Sequence, residues 1–222
     1  MNFFVSAAVV SSLYLVVAAL EQVPALRFRP LRFLRPHLAT DVAWYGLAVT
    51  NSVISVFVLQ PQLSKLAVGP ISRTVGQLPA AVRLLLALLV FDFVAFAVHV
   101  GVHRSNILWN VHKVHHSSLQ LDWLAATRAH MFENLIRFVA AQMVLFLVGV
   151  PVGQVAVVTA VFAAFGLLDH SNLGVNLRWA EAVFVTPRLH RRHHVPETSQ
   201  KNFGAVFSLW DRLFGTLVQY DT

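Results

Sequence analysis

The chain has 222 residues, 57% of them hydrophobic and only 12% charged, about half the charged fraction of a typical soluble domain. Its formal charge of +7 comes from basic residues that flank apolar runs, which is a membrane pattern and not the basic face of a nucleic-acid binder. Cysteine is absent, so disulfides, zinc ribbons and thiolate catalysis are excluded and any metal must be held by nitrogen and oxygen.

Residues 3–20 form a first apolar run of spanning length. It lacks a charged leader and a small-residue cleavage site, so a retained helix is expected and not a signal peptide. A basic loop follows with Arg27, Arg29, Arg32 and Arg35, broken by Pro30 and Pro36. Residues 42–59 read as a second span and residues 80–102 as a third, with Pro61, Gly69 and Pro70 between them. The apolar stretch 135–168 exceeds one crossing of about 30 Å. Gly149, Pro151 and Gly153 interrupt it, which predicts a hairpin of two short helices that enters and leaves on the same side. The polar remainder, from His170 on, reads as a cap at the membrane surface.

The expected fold class is therefore all-α: a polytopic membrane protein with about three spanning helices, a helical hairpin and a cytosolic histidine-rich helical cap. Residues 1–78 read as an N-terminal transmembrane region and residues 79–222 as a histidine-motif catalytic region, in one integrated domain. Of the seventeen Lys and Arg, fourteen fall on the face that holds the clustered histidines, and only Lys65, Arg73 and Arg83 fall on the other. The positive-inside rule makes the fourteen-residue face cytoplasmic. The expected location is a multi-pass protein of a bacterial cytoplasmic membrane, or of the ER membrane in a eukaryote.

Eleven histidines are present, and their spacing carries the chemistry. His99 and His103 are four apart at the end of the third span. His112, His115 and His116 read H-x-x-H-H, and so do His190, His193 and His194. On a helix, positions i, i+3 and i+4 share a face, so each triple is expected to present its imidazoles together. Protonated, such a cluster repels itself; neutral, its lone pairs can converge on a metal. Leaving aside His37, ten histidines are too many for one ion and suit two. Asp92 lies two helical turns before His99, where it can accept from a ligand ring and fix its tautomer. The other acids near the cluster are Asp122, Glu133, Asp169 and Asp211. Trp109, Trp123, Trp179 and Trp210 read as interface anchors.

Two rival classes fit less well. A metal transporter needs ionisable groups along a path through the bilayer, and here the spans carry few. A haem protein needs one axial pair per haem, which two H-x-x-H-H runs do not match.

The segments D-F-V-A-F-A-V-H-V-G-V-H from Asp92, L-W-N-V-H-K-V-H-H-S-S from Leu108, R-A-H-M-F-E from Arg128, D-H-S-N from Asp169, T-P-R-L-H-R-R-H-H from Thr186 and K-N-F-G-A-V-F-S-L-W-D-R-L-F-G-T from Lys201 together resemble the fatty acid hydroxylase and sterol desaturase superfamily of membrane di-iron oxygenases. The resemblance implies a lipid substrate, O2 and two iron ions, with zinc able to take the same donors in purified protein. It also implies electrons from a separate donor: a cytochrome b5-like protein, a ferredoxin or a reductase. Carried onto this chain, it adds His130 and His170 to the three motif groups as metal ligands. It places Asp92, Glu133, Asp169, Asn172 and Asp211 around them. The implied reaction is hydroxylation or desaturation of an unactivated C–H bond. A metal-binding or transport protein without oxygenase activity is the alternative. Val100 stands where many members have Arg, a departure that bears on substrate and redox partner.

Overall fold

A computed structural model describes residues 3–30, 34–35, 37–66, 69–118 and 120–219; Arg32 and Pro36 of the first loop lie outside them. The described residues form helices and turns and contain no strand, only two isolated bridges, Arg27 with Leu173 and Phe184 with Phe207.

Helix α1 (Phe3–Leu20) is apolar along its whole length, as suits a helix solvated by lipid. Helix α2 (Leu38–Leu66) is continuous, but it loosens into a π turn over Ser55–Leu59. Pro61 follows that turn, and it has no N–H to give back to the preceding carbonyls. After the short α3 (Pro70–Gly76), α4 (Ala80–Arg104) runs for 25 residues. Ser105 ends it in an extended conformation, and its hydroxyl accepts from the Leu108 amide, capping α5 (Asn106–His116) with no intervening loop. That abrupt turn sets the last turns of α4 beside α5.

The expected hairpin is present as α6 (Met131–Leu147) and α7 (Val152–His170). Its arms are longer than the sequence implied. At 17 and 19 residues they extend about 25 and 28 Å, and α7 joins α2 and α4 as helices long and apolar enough to cross a membrane. The breakers cluster ahead of α7, and Gly153 falls in its first turn, so the arm itself is uninterrupted. At the tip, the Val150 amide donates to the Leu145 carbonyl and the Gly149 amide to Phe146, the double bond of a Schellman ending. Gly149 has φ +84°, and a Cβ there would lie 2.6 Å from the Ser72 Cα. Gly149→Ala is therefore expected to lower stability by more than the ~1 kcal/mol of a left-handed alanine alone, measurable as a drop in the thermal midpoint in detergent.

Helices α4, α6 and α7 pack around Ala87, Phe91, Ala141, Leu145, Phe146, Val155 and Val158. Above this core, at the end where α4 and α7 finish, the chain builds a cap from three pieces. The first loop is pinned to residues 172–174: the Phe28 amide donates to the Asn172 carbonyl, Gly174 to Leu26, and the Asn172 side chain brackets the Arg29 backbone. A buried ion network comes next. Arg35 reaches Asp41 at 2.9 Å and Asp122 at 2.7 Å, and Arg128 pairs with Asp41. The third piece holds α8 (Pro187–His193) and α9 (Leu209–Leu213). Thr186 caps α8 and Pro187 opens it.

Candidate metal centre

The histidines converge where these pieces meet, and they sort into two groups. His99, His103, His112, His116 and His193 form the first, and His115, His170, His190 and His194 the second; within each, one ring nitrogen per residue lies within 4.8 Å of the others. Both H-x-x-H-H runs are divided between the groups, contrary to the expectation that each acts as a unit. The i and i+4 rings go together, His112 with His116 and His190 with His194, while the middle ring, His115 or His193, goes to the other group. Neighbouring side chains on a helix point about 100° apart, so an adjacent His-His pair reaches two sites at once. The groups abut: the His116 and His194 rings stack with centroids 4.4 Å apart.

Five of the nine rings are oriented from behind. The Nδ1–H of His99 donates to the Phe203 carbonyl at 2.8 Å, that of His193 to Lys201 at 2.8 Å, that of His115 to Arg128 at 3.1 Å and that of His170 to Gly166 at 2.7 Å. A carbonyl can only accept, so these bonds fix the tautomer that leaves the Nε2 lone pair free. His112 is held by a carboxylate instead, its Nδ1 lying 2.8 Å from Glu133 Oε1. The ion network acts here too, because the Arg128 carbonyl that holds His115 belongs to the residue pinned by Asp41.

The inward nitrogens have little else to bind. His103 and His116 bring their Nε2 atoms to 3.2 Å, His115 and His170 to 3.0 Å, His170 and His190 to 2.9 Å, and His190 and His194 to 3.1 Å. The Nε2 atoms of His99, His112 and His193 are buried with no protein partner. Burying unpaired polar atoms costs free energy, and converging imidazole lone pairs are the donor set of Fe, Zn, Cu or Ni. The residues present therefore fit a pair of metal ions.

Burial, then the neighbouring imidazoles, holds the His115, His190, His193 and His194 rings well below the ordinary imidazole range, and brings His116 down to about 3. Such rings stay neutral in the folded protein but charge in the unfolded chain below about pH 6.5. Over that window the unfolded state binds more protons, so stability rises with pH. The metal-free protein is expected to be most stable above about pH 6.5, with a thermal midpoint that falls steadily on acidification toward pH 4. Protons compete for the same nitrogens, so metal retention should fall in the same direction. A midpoint flat across this range would contradict the arrangement.

Other expected residues sit elsewhere. His130 is in neither group: its Nδ1 accepts from the Phe132 amide as the cap of α6, so that lone pair is committed to backbone. Asp92 touches no histidine. It accepts from the amides of Val206 and Phe207 and from the Trp210 indole. Asp211 likewise takes the amides of Phe203 and Gly204 and the Thr216 hydroxyl. Both acids shape the loop whose carbonyls orient His99 and His193. Asn172 serves the first loop, and Asp169 is buried with Oδ1 unpartnered. Glu133 is the acid whose carboxylate meets a grouped histidine.

Of the expected anchors, Trp179 is 79% exposed, whereas Trp123 packs on Tyr14 and Trp210 binds Asp92. Trp109 turns inward, its ring 5.1, 5.9 and 5.4 Å from those of His103, His112 and His116. Its place three residues before His112 was the available signal. The Arg35–Asp41–Asp122–Arg128 network gave none, since its members lie far apart in sequence.

A sequence model described as fatty acid hydroxylase matches residues 84–216. The ornithine lipid hydroxylase of Rhizobium tropici is 34% identical over 142 residues, 63% of this chain and 43% of that protein. The alkylglycerol monooxygenase of Danio rerio is 31% identical over 133 residues, 59% of this chain and 29% of that protein. A very-long-chain aldehyde decarbonylase of Oryza sativa is 28% identical over 228 residues, 95% of this chain and 86% of that protein. The match spans less than half the length of the first two relatives. No solved structure matches.

Proposed function

This chain belongs to the fatty acid hydroxylase family, and on that premise we propose that it is a membrane-embedded di-iron enzyme that hydroxylates an unactivated C–H bond of a lipid. The observation that carries the proposal is the division of nine buried or half-buried histidines into groups of five and four whose free nitrogens converge. His99, His103, His112, His116 and His193 would hold one iron, and His115, His170, His190 and His194 the other. Bound there, an iron pair supplies the O2-dependent oxidation that no side chain can perform alone.

The chain's own residues do the rest. The carbonyls of Phe203, Lys201, Arg128 and Gly166 keep the tautomers of His99, His193, His115 and His170 fixed. Trp109 and Phe203 lie edge-on or tilted against the first group, covering it with apolar surface. Glu133 contributes one negative charge against the ions. Residues 1–78 act as membrane scaffold and residues 79–222 carry the chemistry. The cap faces the cytoplasm, where a separate donor protein delivers two electrons per turnover and the solvent two protons, so that O2 yields one hydroxyl and one water.

Elemental analysis of detergent-purified protein grown with iron, together with Mössbauer spectroscopy of an iron-57 sample, tests this reading. About two irons per chain in a coupled site is the expected result. Haem, or a single reversibly bound zinc, would overturn it.

A further inference from the structure

A cleft of about 740 Å³ opens beside the second histidine group, and His194 forms part of its wall. Among the described residues, five arginines line it, Arg29, Arg178, Arg188, Arg191 and Arg192, and no aspartate or glutamate does; Arg178, Arg188 and Arg192 also have partners of their own. Glu181 neutralises Arg188 from outside the lining. Arg191 is built into place without an acid: its Nη1 donates to the carbonyls of Ser171 and Leu173 at 3.0 and 3.1 Å. Its guanidinium also lies 4.4 Å from the centre of the Phe28 ring, and that of Arg29 lies 5.3 Å from the same ring. Two like charges are thus held about one aromatic ring. Aromatic and carbonyl contacts partly offset this repulsion, and an anion between the guanidinium groups offsets it further with charge-assisted bonds.

The position of the cleft identifies the kind of anion. Its walls are the loop that follows α1, which ends at Leu20, the segment that follows α7, which ends at His170, and Ser118, Gln120 and Leu121 after α5. Helices α1 and α7 are both apolar, so the cleft lies just beyond their ends, at the depth of lipid head groups. Exposed Phe28, Val175, Trp179 and Val195 flank it, the mixture of apolar and basic side chains that suits a bilayer interface. The cleft is also concave and opens onto a histidine, unlike the flat surfaces on which proteins dock.

We propose that this cleft binds the anionic head group, phosphate or carboxylate, of a lipid and holds the adjoining atoms against the second histidine group at His194. That this lipid is the substrate rests on the oxygenase reading; the binding of the anion does not.

The test is titration calorimetry of the iron-loaded protein in a neutral detergent, with dihexanoyl phosphatidylglycerol, dihexanoyl phosphatidylcholine and inorganic phosphate as probes. The anionic lipid is expected to bind at least tenfold more tightly than the zwitterionic one. Arg29→Gln combined with Arg191→Gln is expected to abolish that difference while iron content is unchanged. Because Arg191 also braces backbone, Arg29→Glu alone, at an exposed position, provides a second variant with the same expected direction.

Equal affinity for both lipids, or arginine variants that bind like the parent, would overturn the proposal. Inorganic phosphate binding as tightly as the anionic lipid would make this a free-anion site and overturn the lipid assignment. Variants that keep lipid affinity but no longer accept electrons from a reduced donor protein would give the cleft to an acidic protein instead. Arginine-dependent lipid binding by protein that takes up no iron would leave the cleft standing and remove the oxygenase reading, so the two failures are distinguishable.

Discussion

His193→Ala and His194→Ala are expected to abolish activity by depleting different irons, although the two residues are adjacent in sequence. His193 contributes to the group of five and His194 to the group of four. Removal of His193 leaves four imidazoles around the first position, and removal of His194 leaves three around the second. Depletion should therefore be more complete in His194→Ala. Each variant should retain about one iron per chain and lose activity by more than the roughly 10–100-fold typical of residues that only support a ligand. His130→Ala is the control: it removes a helix cap at a cost of about 1 kcal/mol and should keep both irons. Metal analysis with Mössbauer spectra of the three variants decides the matter. Two irons retained in His193→Ala, or the same iron lost from both adjacent variants, would refute the division into two groups.

The sequence made the helices legible because lipid imposes a coarse signal: long apolar runs for spans, Gly and Pro for their ends. Position 149 shows how far that reasoning reaches. The glycine marks the tip of the hairpin, but the full length of α7 depends on where the next helix can restart, which is a packing outcome. The histidines were legible as a set because nothing in an ordinary core explains two H-x-x-H-H runs. Their distribution was not, since sharing a helix face differs from sharing a site, and it was α4, α7 and α8 that drew alternate rings apart. His170 met its partners because α7 returns to the cap, while His130 was consumed in capping α6. The acids were least legible. Asp92 lies two turns from His99 on one helix, yet a residue on another element, the Phe203 carbonyl, took the role expected of it.

Asp92→Ala is expected to be strongly destabilising and to act on the metal centre indirectly. The carboxylate is fully buried and satisfies two loop amides, at 2.9 and 3.0 Å, and the Trp210 indole at 2.9 Å. Removing it strands three donors at about 1–3 kcal/mol each, less whatever relaxation recovers, so a loss of about 3–5 kcal/mol follows. Asp92→Asn keeps one acceptor and should lose less, and Trp210→Phe, which removes a single bond, about 1 kcal/mol. The loop that Asp92 fastens carries the Lys201 and Phe203 carbonyls, which orient His193 and His99 of the first group. The carbonyls that orient the second group, at Arg128 and Gly166, belong to other elements. Asp92→Asn should therefore show a lowered thermal midpoint and a selective loss of the first iron, with the second retained. A direct contact with a ligand histidine, the role its spacing suggested, would instead weaken metal binding while leaving the midpoint of the metal-free protein unchanged. Thermal unfolding of the metal-free Asp92→Asn protein separates the two: a midpoint equal to that of the parent would mean that Asp92 does not hold the loop.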